Sequence, residues 1–172
     1  VLFDVTIDTV PVHWNRYHRR LRAARGEGGA IDIAARFETR RNRSFVYVQS
    51  PNSGLIELDE QPPLPHDEDA VSIALTVSAL LDAKPVTLLQ TMRKTVVDGS
   101  NTSGFQRTSL VSIDGVLQTE TGPVGVDVLC LEEDSARKLD TISTGDGEQV
   151  IYNLDRLGLP LIEIATAPDV QT

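Results

Sequence analysis

The chain has 172 residues, 40% of them hydrophobic and 24% charged, with a net charge of −9, a size and balance that one hydrophobic core can organise. The longest apolar stretch, Ser72 to Leu81, is interrupted by Thr76 and Ser78 and falls far short of the roughly 20 residues that a spanning helix needs, so a membrane span is excluded. One cysteine, Cys130, excludes an internal disulfide, and without paired Cys or His at zinc spacing the composition predicts a reducing, cytoplasmic setting.

In chain order, Val1, Phe3, Val5 and Ile7 alternate with Asp4, Thr6 and Asp8, the period-2 signature of a half-buried strand. The Val1 start, in place of Met, predicts an internal piece of a longer protein. Trp14, Tyr17, Leu21 and Ala24 recur at helical spacing among arginines until Gly26, Gly28 and Gly29, which predicts a short basic helix or arm. Asp32 to Arg43 reads as a second helix and Phe45 to Gln49 as a strand, closed by the Pro-Asn-Ser-Gly turn at 51–54. Leu55 to Asp59 is strand-like, and the prolines at 62, 63 and 65 forbid regular structure after it. Asp67, Glu68 and Asp69 supply the negative charge that favours a helix start, with Val71, Ala74, Leu75, Ser78 and Leu81 as its inward stripe and Pro85 as its end. Strands follow at Val86–Leu89, Thr95–Val97, Arg107–Ile113, Val126–Leu131, Val150–Tyr152 and Leu161–Ala165, with a hairpin tip at 145–148. The class is α+β, a mainly antiparallel sheet with a few helices, in one domain over residues 1–172.

Charge is distributed unevenly. Residues 16–43 hold nine arginines against Glu27, Asp32 and Glu38, leaving +6 there and −15 in the rest of the chain. Such a cluster can meet phosphate even on an acidic protein, although by charge alone it is more often the pattern of a solvated face.

Two constellations carry chemistry. Residues 98–107, Asp-Gly-Ser-Asn-Thr-Ser-Gly-Phe-Gln-Arg, form a loop of small polar groups between two strands. Gly99 and Gly104 let the backbone turn its N–H groups inward, and Ser100, Asn101, Thr102, Ser103, Gln106 and Arg107 add donors, as an anion or oxyanion site requires. The same composition also makes an ordinary polar hairpin connection. In the second, Leu131-Glu132-Glu133-Asp134 precedes Ile162-Glu163-Ile164, where a lone carboxylate interrupts an apolar strand. Carboxylates from neighbouring strands suit a hydrated Mg²⁺; the alternative is pairing of Glu163 with Arg137 or Arg156. Residues 55–65 read as a structural Pro-rich connection, Cys130 as a buried inert thiol, and His13, His18 and His66 as unassigned.

Three segments together resemble the E-subunit family of archaeal glutamyl-tRNA(Gln) amidotransferases, and more distantly the B-subunit family of bacteria and organelles. They are Met92 to Thr108, Cys130 to Asp134, and Tyr152 to Gly158 running on to Pro168-Asp169; Glu57 to Pro63 and Arg19 to Arg22 share the likeness. The resemblance implies a β-rich cradle that uses ATP and Mg²⁺ to phosphorylate the side-chain carboxylate of glutamyl-tRNA(Gln) and then directs ammonia from an asparaginase-like glutaminase partner onto the acyl phosphate. It implies Glu132, Glu133 and Glu163 as metal ligands, Ser103, Gln106 and Arg107 as catalytic, and Gly99, Ser100, Asn101, Thr102 and Gly104 as nucleotide-binding. From this we expect Glu133 and Glu163 to converge on one cavity, and Arg19, Arg20, Arg22 and Arg25 to contact tRNA or the partner. A Glu-x-His motif expected near the amino terminus is absent, which predicts that the piece alone is inactive. The rival expectation is a non-catalytic tRNA- or partner-binding module.

Overall fold

The computed structural model describes residues 14–169 apart from Ala24 and Glu27. The strand expected at Val1–Ile7 lies outside the described residues. Among the described residues, two sheets, two α-helices and a short 3-10 helix (Leu154–Arg156) make the fold. The first sheet has four strands, β1 (Arg16–Arg19), β2 (Arg43–Val48), β8 (Gly147–Asn153) and β7 (Arg137–Thr144), in that spatial order. Its β2–β8 pair is parallel and its other pairs are antiparallel. The second sheet runs β3 (Lys84–Pro85), β5 (Phe105–Thr119), β6 (Gly122–Glu133), β9 (Pro160–Thr166), with β4 (Thr91–Thr95) also on β5. All of its pairs are antiparallel. The α+β class with mainly antiparallel pairing is therefore observed.

Helix α2 (Glu68–Leu80) covers one face of the second sheet. Asp67 caps it, accepting the Ala70 N–H at 3.0 Å, so the acidic entry does what its charge and oxygen predict. The buried stripe is Ala70, Ala74 and Ser78, followed by Leu81, against Val111, Val126, Leu129 and Leu131. Small side chains at i, i+4 and i+8 let the helix lie close to the sheet. Leu75, expected inside, is exposed, because the close approach selects the small face over the bulkier one.

The first sheet has its own core: Phe45, Tyr47, Val150 and Tyr152 with Leu58, Ala136 and Leu154, against which Tyr17 and Leu21 pack. Phe45 to Val48 are all buried, the unbroken apolar run of a central strand with a parallel neighbour. The loop between β4 and β5 ties the sheets together. Tyr47 Oη donates to the Gly99 carbonyl at 2.6 Å, Tyr152 Oη to the Asp98 carbonyl at 2.9 Å, and the Ala136 N–H to the Ser100 carbonyl at 2.8 Å. Gly99 has φ +85° and lies flat against the Phe45 ring with no room for a Cβ; only glycine satisfies both conditions. Burial, reinforced by Asp98, pushes the Tyr152 phenol up to about 12, so its hydroxyl stays a protonated donor.

Several expected elements differ. Residues 16–19 form a strand and not a helix, since Arg16 and His18 face out, Tyr17 and Arg19 face in, and the ladder to Val48 through Phe45 satisfies their backbone. The second helix, α1, is only Ile33–Glu38, capped by Asp32; β2 then captures Arg43 onward. Residues 55–59 are turns closed by Leu58 N–H to Gly54 O and Glu60 N–H to Leu55 O, with Asp59 at φ +56°. The expected strand at 86–89 does not form; the two-residue strand Lys84–Pro85 lies just before it, where proline is tolerated on an edge. Strand β7, Arg-Lys-Leu-Asp-Thr-Ile-Ser-Thr, has too little apolar alternation to be read from sequence. No helix among the described residues is long and apolar enough to cross a membrane.

Candidate active site

Register builds the site. In the second sheet Lys94 sits opposite Gln106, Thr108 opposite Glu132, and Cys130 opposite Glu163. Cross-strand partners share a face, and so do residues two apart on one strand. Lys94, Gln106, Thr108, Glu132 and Glu163 therefore occupy the face of the sheet away from α2. There the Lys94 ammonium lies 3.1 Å from Glu132 Oε1 and 3.1 Å and 3.3 Å from the two oxygens of Glu163. The Thr108 hydroxyl donates to the same Glu132 oxygen at 2.8 Å. Glu132 is only 3% exposed, and two donors on one oxygen are what lets a carboxylate stay there. The Lys94 contact holds the Glu163 carboxyl below the usual carboxylate range. Burial alone would lower the Lys94 pKa, but the bonds to Glu163 and Glu132 outweigh it and raise it.

The other face carries a second charged pair. Arg107 grips Glu133 through Nε at 2.8 Å and through Nη2, and its Nη1 donates to the Leu64 carbonyl at 2.7 Å. Beside it is a cavity of about 300 Å³ whose lining includes Ile56, Leu64, His66, Phe105 and Leu131. His66 Nε2 lies 2.8 Å from Ser109 Oγ and 3.1 Å from Thr91 Oγ1. Burial and then the nearby Arg107 charge pull the His66 pKa down.

This arrangement corrects the expected convergence of Glu133 with Glu163. Glu132 and Glu133 are consecutive in an extended strand and point to opposite faces; Glu133 is registered opposite Pro160, three residues from Glu163. Glu132, the neighbour, is the residue that joins Glu163. The alternative pairing is also ruled out, since Arg156 goes to Asp134 at 2.8 Å and Arg137 to Asp155 at 2.7 Å. Among the described residues no three Asp, Glu, His or Cys side chains form a self-sufficient metal cluster.

The loop divides as well. Asn101, Thr102 and Ser103 open onto the cavity, but the Thr102 hydroxyl is spent on the Glu57 carbonyl at 2.7 Å and that of Ser103 on the Phe105 carbonyl at 2.8 Å. Ser100 gives both its N–H and its hydroxyl to Asp98, and the Gly104 N–H goes to Asn101 O. Gly99, Ser100 and Gly104 therefore shape the loop and do not converge as a nest of donors for an anion, as expected from their composition. Gln106 lies on the Lys94 face, its amide anchored to the Glu133 carbonyl at 2.7 Å, whereas Arg107 is on the cavity face. Cys130 is buried, and burial raises its thiol pKa, as expected of an inert packing residue.

Three residues escaped the sequence reading: Lys94, Thr108 and His66. Lys94 is one of only three lysines and stands within the Met92–Thr108 segment, so its rarity was the available signal. Thr108 and His66 carry none, because their importance arises from cross-strand register and from the packing of the Pro-rich segment.

Comparison with known proteins places the chain in a family. Residues 35–172 match the GatB/GatE catalytic domain. The chain is 50% identical over 155 residues to the E subunit of glutamyl-tRNA(Gln) amidotransferase from Thermoplasma acidophilum, covering 90% of this chain and 25% of that protein. The corresponding protein of Methanocaldococcus jannaschii is likewise 50% identical over 155 residues, 90% of this chain and 24% of its own length. That of Thermoplasma volcanium is 45% identical over 164 residues, 95% and 27%. The chain thus spans about a quarter of the length of the curated relatives it matches. With residues 35–172 matched, most of its length, this chain belongs to the GatB/GatE catalytic domain family.

Proposed function

We propose that this chain carries the carboxylate-activating centre of a glutamyl-tRNA(Gln) amidotransferase, in which the side-chain carboxylate of tRNA-linked glutamate is phosphorylated by ATP and then amidated by ammonia. The observation that carries the proposal is the lysine held between two carboxylates on an open sheet face, Lys94 between Glu132 and Glu163. In phosphoryl transfer to a substrate carboxylate the substrate supplies the nucleophile, so the protein needs charge and positioning instead of an attacking Ser or Cys. The arrangement fits that need.

Glu132 and Glu163 already share one cation, and two carboxylates that leave the remaining positions to water and phosphate suit Mg²⁺. They are the residues that would hold the ion, which when bound would neutralise charge on the phosphoryl oxygens. Glu133, committed to Arg107 on the far face, does not fit that role. Lys94 supplies a fixed positive charge beside the transferring group. Gln106, with its amide nitrogen tied to the Glu133 carbonyl, keeps its side-chain oxygen as an acceptor for an incoming ammonia N–H. Arg107 holds the cavity wall by joining Leu64 to Glu133. Of the loop, Asn101, Thr102 and Ser103 line the cavity on the opposite face of the sheet, the hydroxyls of Thr102 and Ser103 already bonded to backbone carbonyls, and they shape that wall instead of meeting the transferring phosphate. Ammonia arrives from a glutaminase partner in the cytoplasm.

The test is single-turnover conversion of glutamyl-tRNA(Gln) by the full-length parent protein with ATP, Mg²⁺ and ammonium supplied directly. Lys94→Met and Glu163→Gln should each lower the rate by about a hundredfold or more, the usual loss of one preorganised electrostatic group, with tRNA affinity unchanged. Parental rates in both variants would sink the proposal. A parent that binds tRNA but never converts it would establish the non-catalytic module in its place.

A further inference from the structure

The nine arginines of residues 16–43 are sorted by the fold into five whose side chains are bonded, Arg19, Arg22, Arg25, Arg41 and Arg43, and four whose side chains are not. Arg19 is consumed by the Leu58 carbonyl and Glu60, and Arg22 by Asp59. Both brace the 55–60 turns. Arg16, Arg20, Arg36 and Arg40 make no side-chain hydrogen bond or ion pair among the described residues, and all four are exposed. A cleft of about 170 Å³ lies where the segment after β1 meets the junction of α1 and β2. Its walls include Arg20, Glu38, Arg41, Arg43 and Phe45.

Charge in that cleft is not balanced. Glu38, 8% exposed, is its one carboxylate and already serves two guanidiniums, Arg43 at 2.8 Å and Arg41 at 3.2 Å. Arg43 also reaches Glu148 at 2.6 Å. Arg20 adds a third guanidinium with no acid opposite it. Two more observations point to what the surface meets. Helix α1 buries Ala35 and Glu38 and turns Ile33 and Phe37 outward, 80% and 67% exposed. Phe37 is thereby flanked in sequence by Arg36, Arg40 and Arg41. Exposed aromatic surface beside Arg36 and Arg40, which have no partner among the described residues, and beside Arg41, which shares Glu38 with Arg43, is the chemistry of RNA recognition, guanidiniums for phosphates and a ring face for an unstacked base.

We propose that this cleft and the outer face of α1 form a tRNA contact site, with Arg20 and Arg41 on backbone phosphates and Phe37 stacked on a base. The site deepens the amidotransferase reading, on which its choice of RNA rests. Of the contact set expected from sequence it keeps Arg20 and leaves out Arg19 and Arg22, which brace the 55–60 turns, and Arg25, which donates to the Gly29 carbonyl.

The experiment measures tRNA binding to the full-length parent protein across a potassium chloride series. Arg20→Gln with Arg41→Gln should make the slope of log affinity against log salt shallower by about two phosphate contacts, between 1.4 and 1.8 units by the rule of roughly 0.7 to 0.9 per contact. The charge-preserving pair Arg20→Lys with Arg41→Lys should keep the slope. Phe37→Ala should weaken binding at every salt concentration without changing the slope. An unchanged slope in the glutamine pair overturns the site. So does a slope unchanged for tRNA while association with the glutaminase partner is lost, which would make the surface a protein interface. Ammonium-driven amidation is measured on the same preparations: normal amidation with an unchanged slope rejects this site alone, while absent amidation by the unaltered protein rejects the reading beneath it.

Discussion

Glu132 and Glu133 are neighbours in one strand and have opposite surroundings. Glu132 faces away from α2, almost wholly buried, with Lys94 and Thr108 on a single oxygen and Glu163 across the lysine. Glu133 faces the cavity, gripped from the side by Arg107, which in turn fastens Leu64. A strand that alternates sides separates an exchangeable lysine cluster from a rigid arginine clamp. Lysine is a compact charge that can exchange partners; the arginine fork locks geometry. The first face is suited to chemistry and the second to holding the cavity wall.

The largest expected effect breaks that contrast at the chemistry. In the full-length parent, Glu132→Gln should lower ammonium-dependent amidation by about a hundredfold or more, while Glu133→Gln should leave turnover within about tenfold and lower the thermal midpoint instead. Equal losses of turnover would erase the distinction between the faces. Next comes Arg107→Met, which strands Glu133 and frees the Leu64 carbonyl. Removing hydrogen bonds from a partly buried charge should destabilise by about 2 kcal/mol in urea unfolding, and the double change with Glu133→Gln should recover part of that loss. Thr108→Val is smaller. It removes one of two donors on a buried carboxylate oxygen, for about 1 kcal/mol, and should spare Arg107 and the cavity.

The pH dependence is the smallest and separates the faces most cleanly. His66 titrates below its ordinary range in the fold, so the unfolded chain binds protons first as pH falls. Stability should decline as pH drops through the ordinary imidazole value toward the lower folded one. Glu163 is also held low; its contribution is complete above the ordinary carboxylate value and disappears as pH falls through the folded value. Lys94 is raised, so its share is complete below the ordinary lysine value and is lost only as pH rises through the folded one. His66→Gln should remove the near-neutral step alone, and Lys94→Met the acid and alkaline steps alone, in urea midpoints recorded across pH. If His66→Gln also moves the acid step, the faces are coupled.

Much of the fold was legible because local chemistry agreed with it. Asp67 before an acidic first turn predicted the α2 cap, the strands expected at 107–113, 126–131 and 161–165 fall within β5, β6 and β9, and Gly145-Asp146 marked a tip between β7 and β8. The failures have physical causes. Arg16–Arg19 fit both a helical and an alternating pattern, and only pairing with β2 decides between them. Of the expected inward stripe of α2, Ala74, Ser78 and Leu81 are buried and Val71 packs against the core, but Leu75 is exposed and Ala70 takes the sheet side, because close packing favours the smaller side chains.

What the sequence determined by itself was the family, the antiparallel α+β character and the stock of charged residues, since these are carried by residue types and by motif order along the chain. Which charges meet was decided only in three dimensions. A strand reverses side at every residue, so Glu132 and Glu133 are equivalent in a motif and are separated by the register of β5 and β9. Arg19 and Arg20 are likewise equivalent in a basic run until the 55–60 turns claim one and leave the other to the solvent.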